Sequence, residues 1–151
     1  MKHDLLYHFI NDDDLLRIST KIGEMEKNTS GEIRVSIKEK RPILQRKKSV
    51  SELAKREFFR LGMDKTRDKT GTLILIILKD REFHILGDTG INQKVGEETW
   101  VKIKDEMQQM FRDGNFAGGI LHGVQRVGEA LSLHFPVKPD DTNELSNNVV
   151  F

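Results

Sequence analysis

The stretch that most limits what this chain can fold into is residues 71–90, GTLILIILKDREFHILGDTG. Positions 73–78 are six uninterrupted apolar residues, rich in isoleucine. That is too short for a surface helix. With Gly71-Thr72 at its entry and charge at its exit, it reads as a strand buried on both faces. Lys79-Asp80-Arg81-Glu82 follows as a polar turn. Phe83, Ile85 and Gly87 then alternate with His84, Leu86 and Asp88, which is the period of a second strand. The pair forms a hairpin whose first strand is the centre of a small sheet.

The rest of the chain supplies cover for that sheet. Asn11-Asp12-Asp13-Asp14 is suited to cap a helix, since orphan amides and the helix dipole favour anions at that end. The helix it opens places Leu15, Ile18, Ile22 and Met25 on one stripe and ends near Asn28. After the turn Ser30-Gly31, residues 32–38 alternate, with Ile33, Val35 and Ile37 on one face. One apolar face places this strand at the sheet margin. Ser49 and Glu52 have capping-box spacing ahead of a second helix with Leu53, Ala54, Phe58 and Leu61 on its apolar stripe. Strand, helix and central strand make a crossover unit, so the first two strands run parallel. A third helix starts near Glu97 and carries Trp100, Ile103, Met107, Met110 and Phe111 on one face. A fourth starts near Phe116 and buries Ile120, Leu121, Val124, Val127 and Leu131. Gly118, Gly119, Gly123 and Gly128 each cost it about 1 kcal/mol relative to alanine, which points to close helix-to-sheet packing. The expected fold is an α/β/α sandwich over residues 1–135. Its small mixed sheet has two parallel strands, one antiparallel hairpin strand and room for one further short strand, flanked by about four helices. Residues 136–151, prolines and polar residues without a period, are expected to form a disordered tail.

Composition removes several function classes. The chain has 151 residues, enough for one domain. Lys plus Arg is 25 against 24 for Asp plus Glu, so a net charge of +1 argues against a nucleic-acid-coating surface, and no nucleic acid is expected as partner. No cysteine is present, which excludes disulfides, thiolate zinc sites and cysteine nucleophiles. The five histidines do not occur at metal-ligand spacing. The opening MKHDLLYHFINDDD lacks the apolar core of a signal peptide, and no run approaches the ~18–20 residues of a membrane span. A soluble cytoplasmic protein is the expectation, with no transmembrane segment.

Two places offer chemistry. The segment 38–48 is the most basic, with Lys38, Lys40, Arg41, Arg46, Lys47 and Lys48 against Glu39 alone. Such a loop suits an acidic protein or an anionic surface, although no aromatics interleave to stack bases. Topology makes the other suggestion. With two parallel strands and an antiparallel third, the first two strand starts and the third strand end share one sheet edge. Glu32, Asp64, Asp68 and Asp88 would meet there, with Glu97 and Glu98 at the next helix start. Clustered carboxylates need a cation or basic neighbours, and oxygen-only sites suit Ca2+ or Mg2+. Lys65, Arg67 and Lys69 interleave with the aspartates and are the alternative partners.

The order and spacing of four motifs resemble the TPM domain family: SGEIRVSI, MDKTRDKTGTLILIIL, REFHILGDTGI and GNFAGGILHGVQRVGEAL. The resemblance spans residues 14–135. It implies an α/β/α sandwich, divalent cation binding (notably calcium), and acid phosphatase activity as in some plant members. The residues it carries over are Glu32, Asp64, Asp68, and Asp88 with Gly90. Many members have an aspartate a few residues after the equivalent of Gly90; here the stretch is Asn92-Gln93-Lys94-Val95-Gly96-Glu97, and Glu97 or Glu98 would have to substitute. Many relatives carry a signal peptide and a membrane tail, and neither pattern occurs in this sequence. Three functions follow as expectations. First comes a divalent-cation-binding domain serving in assembly or maintenance. Second is a metal-assisted phosphomonoesterase with Asp88 as base. Third is an adaptor for an acidic protein or membrane surface working through the basic loop.

Overall fold

The computed structural model describes residues 3–139 and 144–151. Among these, three strands form one sheet in the order β1 (Glu32–Lys38), β2 (Gly71–Ile77), β3 (Glu82–Gly87). β1 and β2 are parallel, with Glu32 opposite Gly71, and β2 and β3 are antiparallel, with Thr72 opposite Gly87. All seven residues of β2 are buried, as a strand covered on both faces requires.

The sheet separates two unequal cores. On one face lie α1 (Asp4–Phe9), α2 (Asp12–Glu26), α5 (Glu97–Arg112) and α6 (Phe116–His134). They pack Leu6, Ile18, Ile22, Ile103, Met107, Ile120, Val124 and Val127 onto Ile33, Val35, Ile74, Ile76, Phe83 and Ile85. The opposite face is covered by α3 (Val50–Arg60), which places Leu53, Ala54 and Phe58 with Met63 against Leu73, Leu75 and Ile77. α4 (Thr89–Asn92) is a single turn beyond β3. The four long helices are those read from the sequence. α1 and α4 are too short to show a period.

The caps form as the residue types dictate. Asn11 accepts the Asp14 N–H at 2.8 Å and Asp14 accepts the Asn11 N–H at 3.2 Å, so two of the orphan amides at the start of α2 are satisfied. Ser49 accepts the Glu52 N–H at 3.1 Å at the start of α3.

Two local expectations differ from the structure. Three of the four glycines of α6 admit neighbouring helices rather than the sheet, and the fourth, Gly118, lies against the cap residue Asn115. A Cβ at Gly119 would lie 2.5 Å from the Phe111 ring, one at Gly123 2.5 Å from the Met107 sulfur, and one at Gly128 2.6 Å from the Met25 methyl. α6 lies between α5 and α2, and the missing side chains are where those helices press in. The second difference is the tail. Residues 140–143 lie outside the described residues, but 144–151 run beside β1. Val150 donates to the Val35 carbonyl at 2.9 Å and accepts the Ile37 N–H at 2.8 Å, while Val149 is buried. An edge strand with outward-facing amides recruits a short apolar segment wherever the chain can bring one back. The further short strand anticipated from the sequence is reduced to this single parallel bridge, Ser36 to Val150.

Candidate functional site

The shared sheet edge exists. Asp88 N–H bonds to the Gly71 carbonyl at 2.9 Å and Glu32 N–H to the Thr70 carbonyl at 3.0 Å, so the two strand starts and the end of β3 are stitched into one rim. The loop between α3 and β2 builds its floor. Gly62, at φ +71°, ends α3; Met63 is wholly buried; and Thr66 accepts the Thr70 N–H at 3.3 Å. Lys69 takes a left-handed conformation at φ +57°, and its ammonium folds back onto the Asp64 carbonyl.

The six candidate carboxylates reach this region in different states. Glu32 is 4% exposed and accepts the Leu145 N–H at 2.6 Å, so the returning tail covers it. Asp68 pairs with Lys138 at 3.0 Å and Arg67 at 3.4 Å, and the Lys138 hydrogen bond holds its carboxyl below the usual range. Asp64 is half-buried at the turn. Glu97 and Glu98 stand exposed on the first turn of α5. Among the described residues no three His, Asp or Glu side chains come close enough to hold a metal between them. The basic neighbours that interleave with the aspartates, together with the tail amide, neutralise much of the charge that a six-carboxylate cluster would have gathered.

Asp88 is different. One oxygen caps α4 by accepting the Thr89 N–H at 2.7 Å, and the other is buried with no hydrogen-bond partner. Two residues on, Gly90 sits so close to the loop that a Cβ there would lie 2.5 Å from the Lys69 carbonyl oxygen and 2.7 Å from that of Asp68. The Asp88 turn and two backbone carbonyls are thus pressed together, an arrangement only glycine permits. Alongside, a cleft of about 470 Å³ between β3 and α5 is lined by His84, Gly87, Asn92, Glu97, Trp100 and Lys104. Burial, and then the charges of Lys104 and Lys55, lower the pKa of His84 and favour its neutral form.

The family model for the TPM domain matches residues 6–130. The chain belongs to the TPM domain family. Its fold is similar to the NMR structure of the BA42 protein from the psychrophilic bacterium Bizionia argentinensis, at 37% identity over 94% of each chain, TM-score 0.84. At 17% identity it shares the fold of the N-terminal domain of a P. gingivalis protein, covering 86% of this chain and 82% of that one, TM-score 0.70. The N-terminal domain of the Corynebacterium glutamicum cg2496 protein is similar at 12% identity over 94% and 80%, TM-score 0.61. No curated protein matches the chain. Among the described residues no helix of this TPM domain is long and apolar enough to cross a membrane.

Sequence reasoning missed a second polar centre under α3. Glu57 lies within the buried stripe of that helix, 6% exposed, and accepts bonds from Ser36 at 2.6 Å and from Arg60 at 2.6 and 2.8 Å, with Lys38 at 3.3 Å. The available signal was a carboxylate at a stripe position between Ala54 and Phe58, facing a strand whose second face is Glu32, Arg34, Ser36 and Lys38.

Nearby, Glu26 accepts the Ile33 N–H at 2.9 Å with one oxygen while the other is buried without a partner. Burial, with the Glu32 charge adding to it, pushes this carboxyl up to about 7. The folded state therefore binds a proton that the unfolded state, with its carboxyl near 4.5, has lost. Stability falls as pH rises from about 4.5 through 7. Glu26→Gln is expected to be more stable than the native domain by on the order of 1 kcal/mol at about pH 8, with no advantage at about pH 5. Urea denaturation at both pH values checks this, and an equal gain at both would exclude the buried charge as its cause.

Proposed function

We propose that this TPM domain binds a divalent cation, Ca2+ or Mg2+, at the rim, with Asp88 as the central ligand. The observation that carries the reading is the buried Asp88 oxygen that lacks a hydrogen-bond partner. An unsatisfied buried carboxylate oxygen is costly, and a cation is the partner that best repays it. The oxygen types suit a hard ion: a carboxylate oxygen from Asp88, with the Asp68 and Lys69 carbonyls lying against Gly90 two residues on. Asp64 and Asp68 border the same loop. Glu32, Glu97 and Glu98 contribute field rather than ligation, the first being occupied by the tail and the other two lying exposed on the first turn of α5.

The test is a titration with Ca2+ and with Mg2+ followed by amide NMR shifts. The amides of Asp68, Lys69, Asp88 and Gly90 are expected to move, and Asp88→Asn is expected to weaken binding by about tenfold or more. Stationary resonances at these positions at about millimolar metal would sink the proposal.

A metal-assisted phosphomonoesterase is the second reading, favoured by the cleft beside the rim with Lys104 and neutral His84 in its wall. A bound cation supplies Lewis-acid polarisation of a phosphoryl oxygen. Lys104 would hold the anionic ester, and Asp88 would take the proton from water. Hydrolysis of a generic phosphomonoester that persists in the Asp88→Asn protein would remove this assignment.

A further inference from the structure

The opposite end of the sheet carries a feature that the cation site does not use. After β1 the basic loop rises to a single 3-10 turn, Ile43–Gln45. At its tip Ile43 is 71% exposed and Leu44 97% exposed. Isolated exposed aliphatics are ordinary on protein surfaces. Two adjacent ones on an ordered projection, ringed by cations, are not accounted for by packing.

The loop is held in this shape. Gln45 N–H bonds to the Pro42 carbonyl at 2.9 Å and Lys48 N–H to the Gln45 carbonyl at 3.1 Å. At its base Arg41 donates to the Lys48 carbonyl at 3.1 Å and pairs with Asp80 and with Glu82 at 2.8 Å. Lys38 is turned inward to Glu57. The six cations of the loop therefore divide by role. Arg41 and Lys38 are structural, and Lys48 lies 3.8 Å from Glu52. Lys40, Arg46 and Lys47 are exposed and make no ion pair among the described residues. They flank Ile43 and Leu44 on both sides in the chain.

We propose that this tip docks on an anionic lipid surface, inserting Ile43 and Leu44 while Lys40, Arg46 and Lys47 meet the headgroups. The shape selects a bilayer over a protein partner. A convex apolar tip needs a receiver that yields around it, and the headgroup–acyl boundary does so without a matched pocket. The charge selects the lipid. Each cation near an anionic leaflet strengthens binding by roughly fivefold, and withdrawing each aliphatic side chain from water adds roughly tenfold or more. Neither contribution alone gives stable attachment; together they give reversible, salt-sensitive docking. This surface is independent of the cation site, and either can fail without the other.

Co-sedimentation of the full chain with vesicles of phosphatidylserine and phosphatidylcholine, against phosphatidylcholine alone, tests it. The native protein is expected to sediment with the anionic vesicles only, and less as salt is raised. The pair Ile43→Ser with Leu44→Ser is expected to reduce binding by on the order of a hundredfold, and Arg46→Gln with Lys47→Gln by more than about tenfold. Circular dichroism of both variants should match the native spectrum, because all four side chains are exposed. Three results would overturn the proposal: no binding by the native chain, equal binding to neutral vesicles, or serine variants that bind like the native protein. Absence of vesicle binding together with a dimer that the serine pair abolishes would assign the tip to a second copy instead.

Discussion

Glu57→Ala is expected to cost the domain about 2–3 kcal/mol, the range for losing hydrogen bonds to a charged group, because the Lys38 and Arg60 side chains are partly exposed and fall back on water. The side chain is 6% exposed, and its carboxylate is where Ser36, Lys38 and Arg60 converge. Removing it leaves a buried hydroxyl and two cations without their acceptor, while α3 loses its polar tie to β1. Burial alone would push the Glu57 carboxyl up, but the hydrogen bonds from Arg60 and Ser36 and the charge of Lys38 outweigh it and hold it down at about 2. The sign of the pH dependence follows. The folded pKa lies below the unfolded value of 4.5, so this stabilisation is full above about 4.5 and is lost as pH falls toward 2. The shift corresponds to about 3 kcal/mol. Urea denaturation of native and Glu57→Ala proteins across this window should show the difference between them closing as pH falls. A constant difference would mean that the loss comes from packing rather than from the carboxylate.

Gly90→Ala is expected to destabilise the domain by about 1–3 kcal/mol, the range for overpacking, with the damage confined to the rim. The added methyl would meet the Lys69 and Asp68 carbonyl oxygens at 2.5 and 2.7 Å. Both are backbone atoms, so relief requires the Asp88 turn to separate from the loop. Gly123→Ala makes the comparison sharp. Its nearest neighbours are the sulfur and methyl of the Met107 side chain, which can swing away, and its effect should be smaller although the clash distance is similar. Urea midpoints rank the two variants. Amide shifts in the Gly90 variant should concentrate at Asp68, Lys69 and Asp88, and cation affinity should fall with them. If Gly90→Ala matched the native protein in both stability and spectrum, the close approach on which the proposed site rests would be excluded.

The sequence reading succeeded where local pattern and burial agree. The run 73–78 has apolar side chains on both faces, and only the middle of a covered sheet satisfies both at once. Asn11 and Asp14 reveal a helix start because capping acts over three residues. The shared rim was also legible, since it follows from strand direction alone. The state of the carboxylates on it was not. Whether Glu32 meets a cation or the Leu145 amide depends on a contact 113 residues away, and Asp68 meets Lys138 across 70.

What the sequence by itself determined is the sheet, its order and the helices that cover it, because periodicity is a property of neighbours along the chain. Tertiary structure decided which polar groups are satisfied and which are left over. It put Glu57 inside an apolar stripe with three partners, turned three of the α6 glycines toward helices rather than strands, and brought the tail to the open edge of β1. It left one Asp88 oxygen buried without a donor and held Ile43 and Leu44 out in water. Those outcomes depend on desolvation and on contacts between distant segments, and a residue's own chain neighbours carry no record of either.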